Sequence, residues 1–279
     1  MNTIMHRLTA QPASDGAGVK IKRVSPGRDY RILDPFLMLD ELRSDSAGDY
    51  AAGFPSHPHR GFETITYMRK GLLEHQDHLG NRGVIENGGA QWMTAGRGVI
   101  HSEMPLQKEG FFHGFQLWLN LPANEKMRDP EYHNLKADDI PLIREGTHVI
   151  HVLGGRFLAG STVTSGPIGD RSTDPHLWDI ELNDGNELSL RLDPGLNVLL
   201  YAYEGKLSVN GEPLFTHQMA TTESGTALSL KAESSAKVLL LAGRPLAEPV
   251  AQYGPFVMNT REQIEEAIHE YQSGTLTGS

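Results

Sequence analysis

Ile65-Thr-Tyr-Met-Arg-Lys-Gly71 returns in the second half of the chain as Leu199-Leu-Tyr-Ala-Tyr-Glu-Gly205, and Gln91-Trp-Met-Thr94 returns as Gln218-Met-Ala-Thr221. A third pair follows in the same order: Gln116-Leu-Trp-Leu119 matches Val238-Leu-Leu-Leu241, each with a proline a few residues on. Most copies are short runs rich in aromatic, β-branched or leucine residues, which read as strands. Similarity that keeps its order marks an internal duplication, so the expected fold is all-β, one barrel copied twice.

The surrounding sequence keeps that rhythm. From Gly53 to Pro122, short β-rich segments such as Glu63–Met68, Gln91–Thr94 and Phe115–Leu119 alternate with Gly or Asn-Gly turns. The second half repeats the cadence and carries a two-residue hairpin signal, Asn210-Gly211. The polar, proline-containing stretch from Pro122 to Arg144 reads as the linker. The expected domains are 1–135 and 136–279. Thr260-Arg-Glu-Gln263 fits a capping box, and Ile264, Ala267, Ile268 and Tyr271 recur at helical spacing before Gly274, which predicts one short amphipathic C-terminal α-helix.

Composition removes several function classes. The 279 residues hold 30 Gly, 16 Pro and no Cys. Without cysteine there is no thiolate nucleophile, iron–sulfur cluster or Cys-containing zinc site, so a metal must be held by His and carboxylate. The net charge of −10 opposes direct nucleic-acid binding. No apolar run has the length of a signal peptide or membrane span, so a cytoplasmic location is expected. A monomer is expected too, because two barrels already share an internal interface.

Histidine is unevenly placed. Of 13 histidines, His57, His59, His75, His78, His101 and His113 crowd into the first barrel. Strand side chains alternate faces, so His57-Pro-His59 presents both imidazoles on one side, and His101-Ser-Glu103 presents an imidazole and a carboxylate likewise. If the two strands are neighbours, three imidazoles and a carboxylate meet in one cavity, a set suited to a divalent transition metal with open positions. Glu63 shares the parity of His59 provided Gly61 introduces no bulge, and is a candidate additional ligand or a hydrogen-bond acceptor behind the ligands. Phe54, Arg60 and His113 are candidate pocket residues at the barrel mouth. Glu74-His-Gln-Asp-His-Leu-Gly-Asn81 reads as a solvated loop. Ser102 lacks a relay or nucleophile elbow, which argues against a serine hydrolase.

Three stretches carry a resemblance: Gly53-Phe-Pro-Ser-His57-Pro-His59-Arg-Gly-Phe-Glu63-Thr, Gln91-Trp-Met-Thr-Ala-Gly-Arg-Gly-Val-Ile-His101-Ser-Glu103-Met-Pro and Gly254-Pro-Phe-Val-Met-Asn-Thr260. Together they resemble the pirin family of the cupin superfamily, whose quercetinase-type members open flavonols with O2. The resemblance implies a bicupin, with a metal in the N-terminal cupin barrel and none in the C-terminal one. It places the ligands at His57, His59, His101 and Glu103. It implies iron, although Mn, Ni, Co, Cu or Zn also suit such donors.

Two functions follow from the resemblance. One is a quercetin 2,3-dioxygenase-like (flavonol 2,4-dioxygenase) activity on a flavonol or other small aromatic enol, with Glu103 or Glu63 taking the hydroxyl proton and carbon monoxide leaving as the ring opens. The other is a metal- or redox-responsive regulatory role that binds a partner protein. The stretch Glu223-Ser-Gly-Thr-Ala-Leu-Ser-Leu in the second barrel contains no histidine, in keeping with a barrel that holds no metal.

Overall fold

A computed structural model describes residues 4–169, 171–183, 185–222 and 227–278; residues 223–226 of the histidine-free stretch lie outside them. The chain divides into two compact units, one of Pro12–Arg23, Phe36–Ala137 and Ala247–Ser279, the other of Met1–Gln11, Val24–Pro35 and Asp138–Leu246. Each is a β-barrel built on one seven-stranded and one four-stranded antiparallel sheet, with a further two-stranded sheet.

In the first unit the larger sheet runs Glu131–Leu135, Ala90–Thr94, Phe62–Lys70, Phe112–Asn120, Phe36–Ser44, Val19–Val24, Gln11–Asp15. The smaller runs Phe54–His59, Val99–Pro105, Leu73–Asp77, Arg82–Ile85. The second unit repeats this plan: Gln218–Thr222, Asn197–Glu204 and Ala236–Gly243 occupy the second, third and fourth places of its larger sheet. All three sequence repeats therefore fall at equivalent positions of the two barrels.

Sequence order does not set the boundaries of the units. Strand Ile4–Thr9 pairs with Gln218–Thr222 in the second unit and covers an otherwise open edge. Ala247–Ser279 packs in the first unit, where Phe256, Met258, Ile264, Ala267 and Leu276 cluster with Ile100 of the smaller sheet. Local periodicity shows that an edge or an apolar stripe needs cover, but not which distant segment provides it. The helix Arg261–Ser273 starts as its sequence predicts: Thr260 Oγ1 accepts from the Gln263 amide at 3.3 Å, and Gln263 Oε1 accepts from the Thr260 amide at 3.1 Å.

The two interiors differ in chemistry. Leu188 and Leu190 of Glu187–Arg191, with Leu228 and Leu230 of Ala227–Ala232, lie in a large hydrophobic cluster of the second unit. Those strands occupy the places that Phe54–His59 and Val99–Pro105 hold in the first. Leucines thus stand in one barrel where the other carries histidines.

Candidate metal centre

Val99–Pro105 lies between two antiparallel partners. On one side His101 faces His57 and Glu103 faces Phe54; on the other His101 faces Asp77 and Glu103 faces His75. The pairing with Phe54–His59 is irregular between His101 and Glu103, a bulge that turns Phe54 into the apolar core although it is three residues from His57. The strands that carry His57, His59 and His101 are neighbours, as a site shared between them requires.

One ligand atom from each of His57, His59 and His101 lies within 4.8 Å of the others. The Nε2 atoms of His57 and His59 are 3.0 Å apart. The Nδ1 atoms point outward to separate partners: His57 Nδ1 lies 2.8 Å from the Pro55 carbonyl oxygen, His59 Nδ1 3.4 Å from that of Pro255, and His101 Nδ1 3.2 Å from His75 Nδ1. A carbonyl only accepts, so His57 and His59 carry their protons on Nδ1 and turn Nε2 lone pairs inward. His101 Nε2 is buried with no partner. Burial, reinforced by the neighbouring imidazoles, pushes the pKa values of His59 and His101 well below the ordinary histidine range, which keeps both rings neutral. Inward lone pairs that repel one another, backed by outward hydrogen bonds, fit a shared cation: the donor set suits a divalent transition metal.

Glu103 is 1% exposed and belongs to the same interior. Its Oε1 accepts from Thr66 Oγ1 at 2.9 Å and its Oε2 from Gln116 Nε2 at 2.7 Å. The trio whose ligand atoms converge is the three histidines; the carboxylate stands beside it, held by two neutral donors from the larger sheet.

The other sequence candidates have different surroundings. Glu63 accepts from Thr94 Oγ1 at 2.6 Å, and its strand presents Phe62 and Thr66, not Glu63, toward His59 and Glu103. Gly61, with φ of +88°, breaks the extended run and reverses the parity expected for Glu63. His113 lies 3.2 Å from Glu41 and, two strand positions from Phe115, faces away from Gln116. Arg60 is buried, donating to the Arg97 carbonyl, to Glu270 at 2.5 Å and to the Leu276 carbonyl at 3.2 Å. It is an anchor for the C-terminal segment instead of a mouth residue. Phe54 packs with Met68, Leu73 and Phe112 in the barrel core.

The stretch read as a solvated loop contains a strand, Leu73–Asp77, whose His75 and Asp77 are buried beside His101 while Glu74 pairs with exposed Arg82. His75-Gln-Asp77 has the same i,i+2 spacing as His57-Pro-His59, a signal masked by the polar turn that follows. Tyr132 stacks on His75 with ring centroids 4.6 Å apart, and burial together with Asp77 and Glu103 pushes its pKa up to about 12. The ring contacts continue to the larger sheet, where Phe62 and Trp118 meet the His59 ring edgewise.

Residues 18–119 match the Pirin family model, and residues 177–277 match that of the pirin C-terminal cupin domain. The chain belongs to the pirin family. This pirin is 50% identical over 272 residues to a Pseudomonas aeruginosa protein named "putative quercetin 2,3-dioxygenase", covering 96% of this chain and 95% of that one. It is 37% identical over 267 residues to rat pirin, covering 93% and 88%. A crystal structure of quercetin 2,3-dioxygenase from Acinetobacter baumannii superposes with a TM-score of 0.90 at 34% identity, over 100% of this chain and 99% of that one. No helix among the described residues is long and apolar enough to cross a membrane.

Proposed function

We propose that this pirin is a metal-dependent dioxygenase of the quercetinase type, opening a flavonol with O2 at a mononuclear centre held by His57, His59 and His101, with Glu103 as a fourth ligand or as the base. The observation that carries the reading is the inward convergence of three imidazoles inside a barrel, beside a buried carboxylate that Thr66 and Gln116 hold. The likeness to proteins named for quercetin dioxygenation supports the substrate class.

A divalent metal bound there would supply a Lewis acid for the substrate's oxygens and a redox partner for O2. The chain itself supplies four things. His57 and His59 are oriented by carbonyl acceptors, so their donor atoms need no rearrangement. Phe62 and Trp118 wall the site beside His59 and limit its access to water. Thr66 and Gln116 hold the Glu103 carboxylate with one bond to each oxygen, leaving lone pairs to take the substrate's hydroxyl proton. The apolar surroundings strengthen each of these interactions.

Aerobic incubation of the purified, metal-analysed protein with quercetin tests the proposal. Loss of flavonol absorbance with carbon monoxide release is the expected result. No turnover with Fe, Mn, Ni, Co or Cu loaded would overturn the enzymatic reading.

A further inference from the structure

Of the three inward-facing histidines, His57 and His59 each rest their outer nitrogen on a backbone carbonyl, whereas His101 rests its own on another imidazole. Two Nδ1 atoms 3.2 Å apart need one proton between them, and a neutral imidazole can either donate or accept there. The far side of His75 decides the direction. Its Nε2 lies 3.3 Å from Asp77 Oδ2, and a carboxylate only accepts, so the His75 proton sits on Nε2 and the Nδ1 lone pair faces His101. Asp77 is itself fixed: Oδ1 accepts the amides of Leu79 and Asn81 at 3.0 Å each, and Oδ2 accepts Asn81 Nδ2 at 2.9 Å.

We infer that His75 is a positioning residue that, backed by Asp77, holds His101 in the Nδ1–H form and aims its Nε2 lone pair at His57 and His59. The reverse direction would leave a lone pair of His75 against the carboxylate. It would also leave a buried, unpartnered N–H on His101 Nε2, the atom that has no hydrogen-bond partner in the interior. His75 is fully buried, and Tyr132 stacked on its ring fixes its plane. The chain Asp77–His75–His101 places negative charge behind one donor of the trio only. His101 is accordingly the most electron-rich of the three, where its partners lean on neutral carbonyls.

The inference rests on the metal-centre reading for its consequence but not for its proton arrangement, and two measurements separate the parts. In metal-free wild-type protein labelled with 15N-histidine, the expected spectrum shows the His101 proton on Nδ1 and the His75 proton on Nε2. A His101 proton on Nε2 would overturn the inference whether or not any metal binds. Co(II) is then titrated against a competing chelator into wild type, His75→Leu and His75→Asn, each checked for folding by circular dichroism. Asparagine can put a carbonyl oxygen where Nδ1 stood, while leucine fills the space without an acceptor.

The expected loss of Co(II) affinity is about 10- to 100-fold for His75→Leu, with His75→Asn close to wild type. A packing role would rank the variants the other way, because leucine suits a buried site better than asparagine, and that order would overturn the inference. Equal affinity in all three folded proteins would overturn it as well. Failure of wild type to bind Co(II) would instead sink the metal-centre reading, leaving the nitrogen spectrum to decide the proton arrangement.

Discussion

Arg60 Nη2 and Glu270 Oε2 lie 2.5 Å apart and tie the residue after His59 to the C-terminal helix. The Arg60 side chain is 3% exposed and that of Glu270 30%, so the pair is buried at one end only. Removing the arginine strands a carboxylate and two carbonyls, those of Arg97 and Leu276, that it now satisfies. Arg60→Ala is expected to lower unfolding stability by about 3 kcal/mol in urea titration, at the low end for breaking a buried pair because Glu270 retains access to water. Glu270→Gln, which keeps one acceptor oxygen, is expected to cost about 1 kcal/mol. Equal stability of wild type and Arg60→Ala would show that the C-terminal segment is held by its apolar face alone.

Gly61 is the next link in the same joint. Its φ of +88° is a conformation that residues with a Cβ rarely adopt, and a Cβ there would overlap the Val257 carbonyl oxygen and come within 2.7 Å of Met258 Sδ. Strain and overlap act together, so Gly61→Ala is expected to cost about 2 kcal/mol or more in thermal or urea unfolding. A neutral result would mean that the 256–258 strand shifts away freely.

Lys126 makes this joint sensitive to pH. Its buried Nζ donates to the carbonyls of Gly61 at 2.7 Å and Val257 at 3.1 Å and to Asn120 Oδ1 at 2.6 Å. Burial, partly offset by Glu248, pushes its pKa from 10.5 down to about 7. Between about pH 7 and 10.5 the unfolded chain therefore holds a proton that the folded one has released. Stability from this group rises with pH across that window, by up to ~1.4 kcal/mol per pH unit, and is flat below pH 7. Urea titrations of wild type and Lys126→Met at pH 6, 7, 8 and 9 isolate the effect: the gap should stay constant from 6 to 7 and move in favour of wild type from 7 to 9. A gap independent of pH would show that the three acceptors keep the ammonium charged throughout.

What could be read in the sequence and what could not divides by the range of the interaction. Strand alternation is local, so His57, His59 and His101 were legible as residues of one face, and three repeats within single strands announced the two barrels. The expectation for Glu63 is conditional on an unbroken strand, and Gly61, with φ of +88°, ends the extended run on which a parity count depends. Arg60 looked like a mouth residue because its partner, Glu270, is 210 positions away. His75 and Asp77 were hidden by composition: a polar strand buried around charge-bearing partners has the same residues as a solvated loop. The joining of Ile4–Thr9 and of the C-terminal helix to their units is set by complementary edges and apolar faces, which no window of sequence contains.

Glu103 offers the sharpest test of the proposed chemistry. Glu103→Gln keeps the size of the side chain; its carbonyl can still accept from one of Thr66 and Gln116, and its amide can donate to the Thr66 hydroxyl or, after a flip, to the Gln116 carbonyl oxygen. The variant should therefore fold, with stability within about 1 kcal/mol of wild type. What it loses is a carboxylate able to take a proton. If Glu103 is the base, quercetin turnover should fall about 10²- to 10⁴-fold while metal content per chain stays near the wild-type value. If it is chiefly a ligand, metal affinity falls with turnover, and adding metal restores both. Wild-type turnover in the fully metallated variant would remove Glu103 from the base role, and the proton would then have to leave through another buried group facing the three histidines.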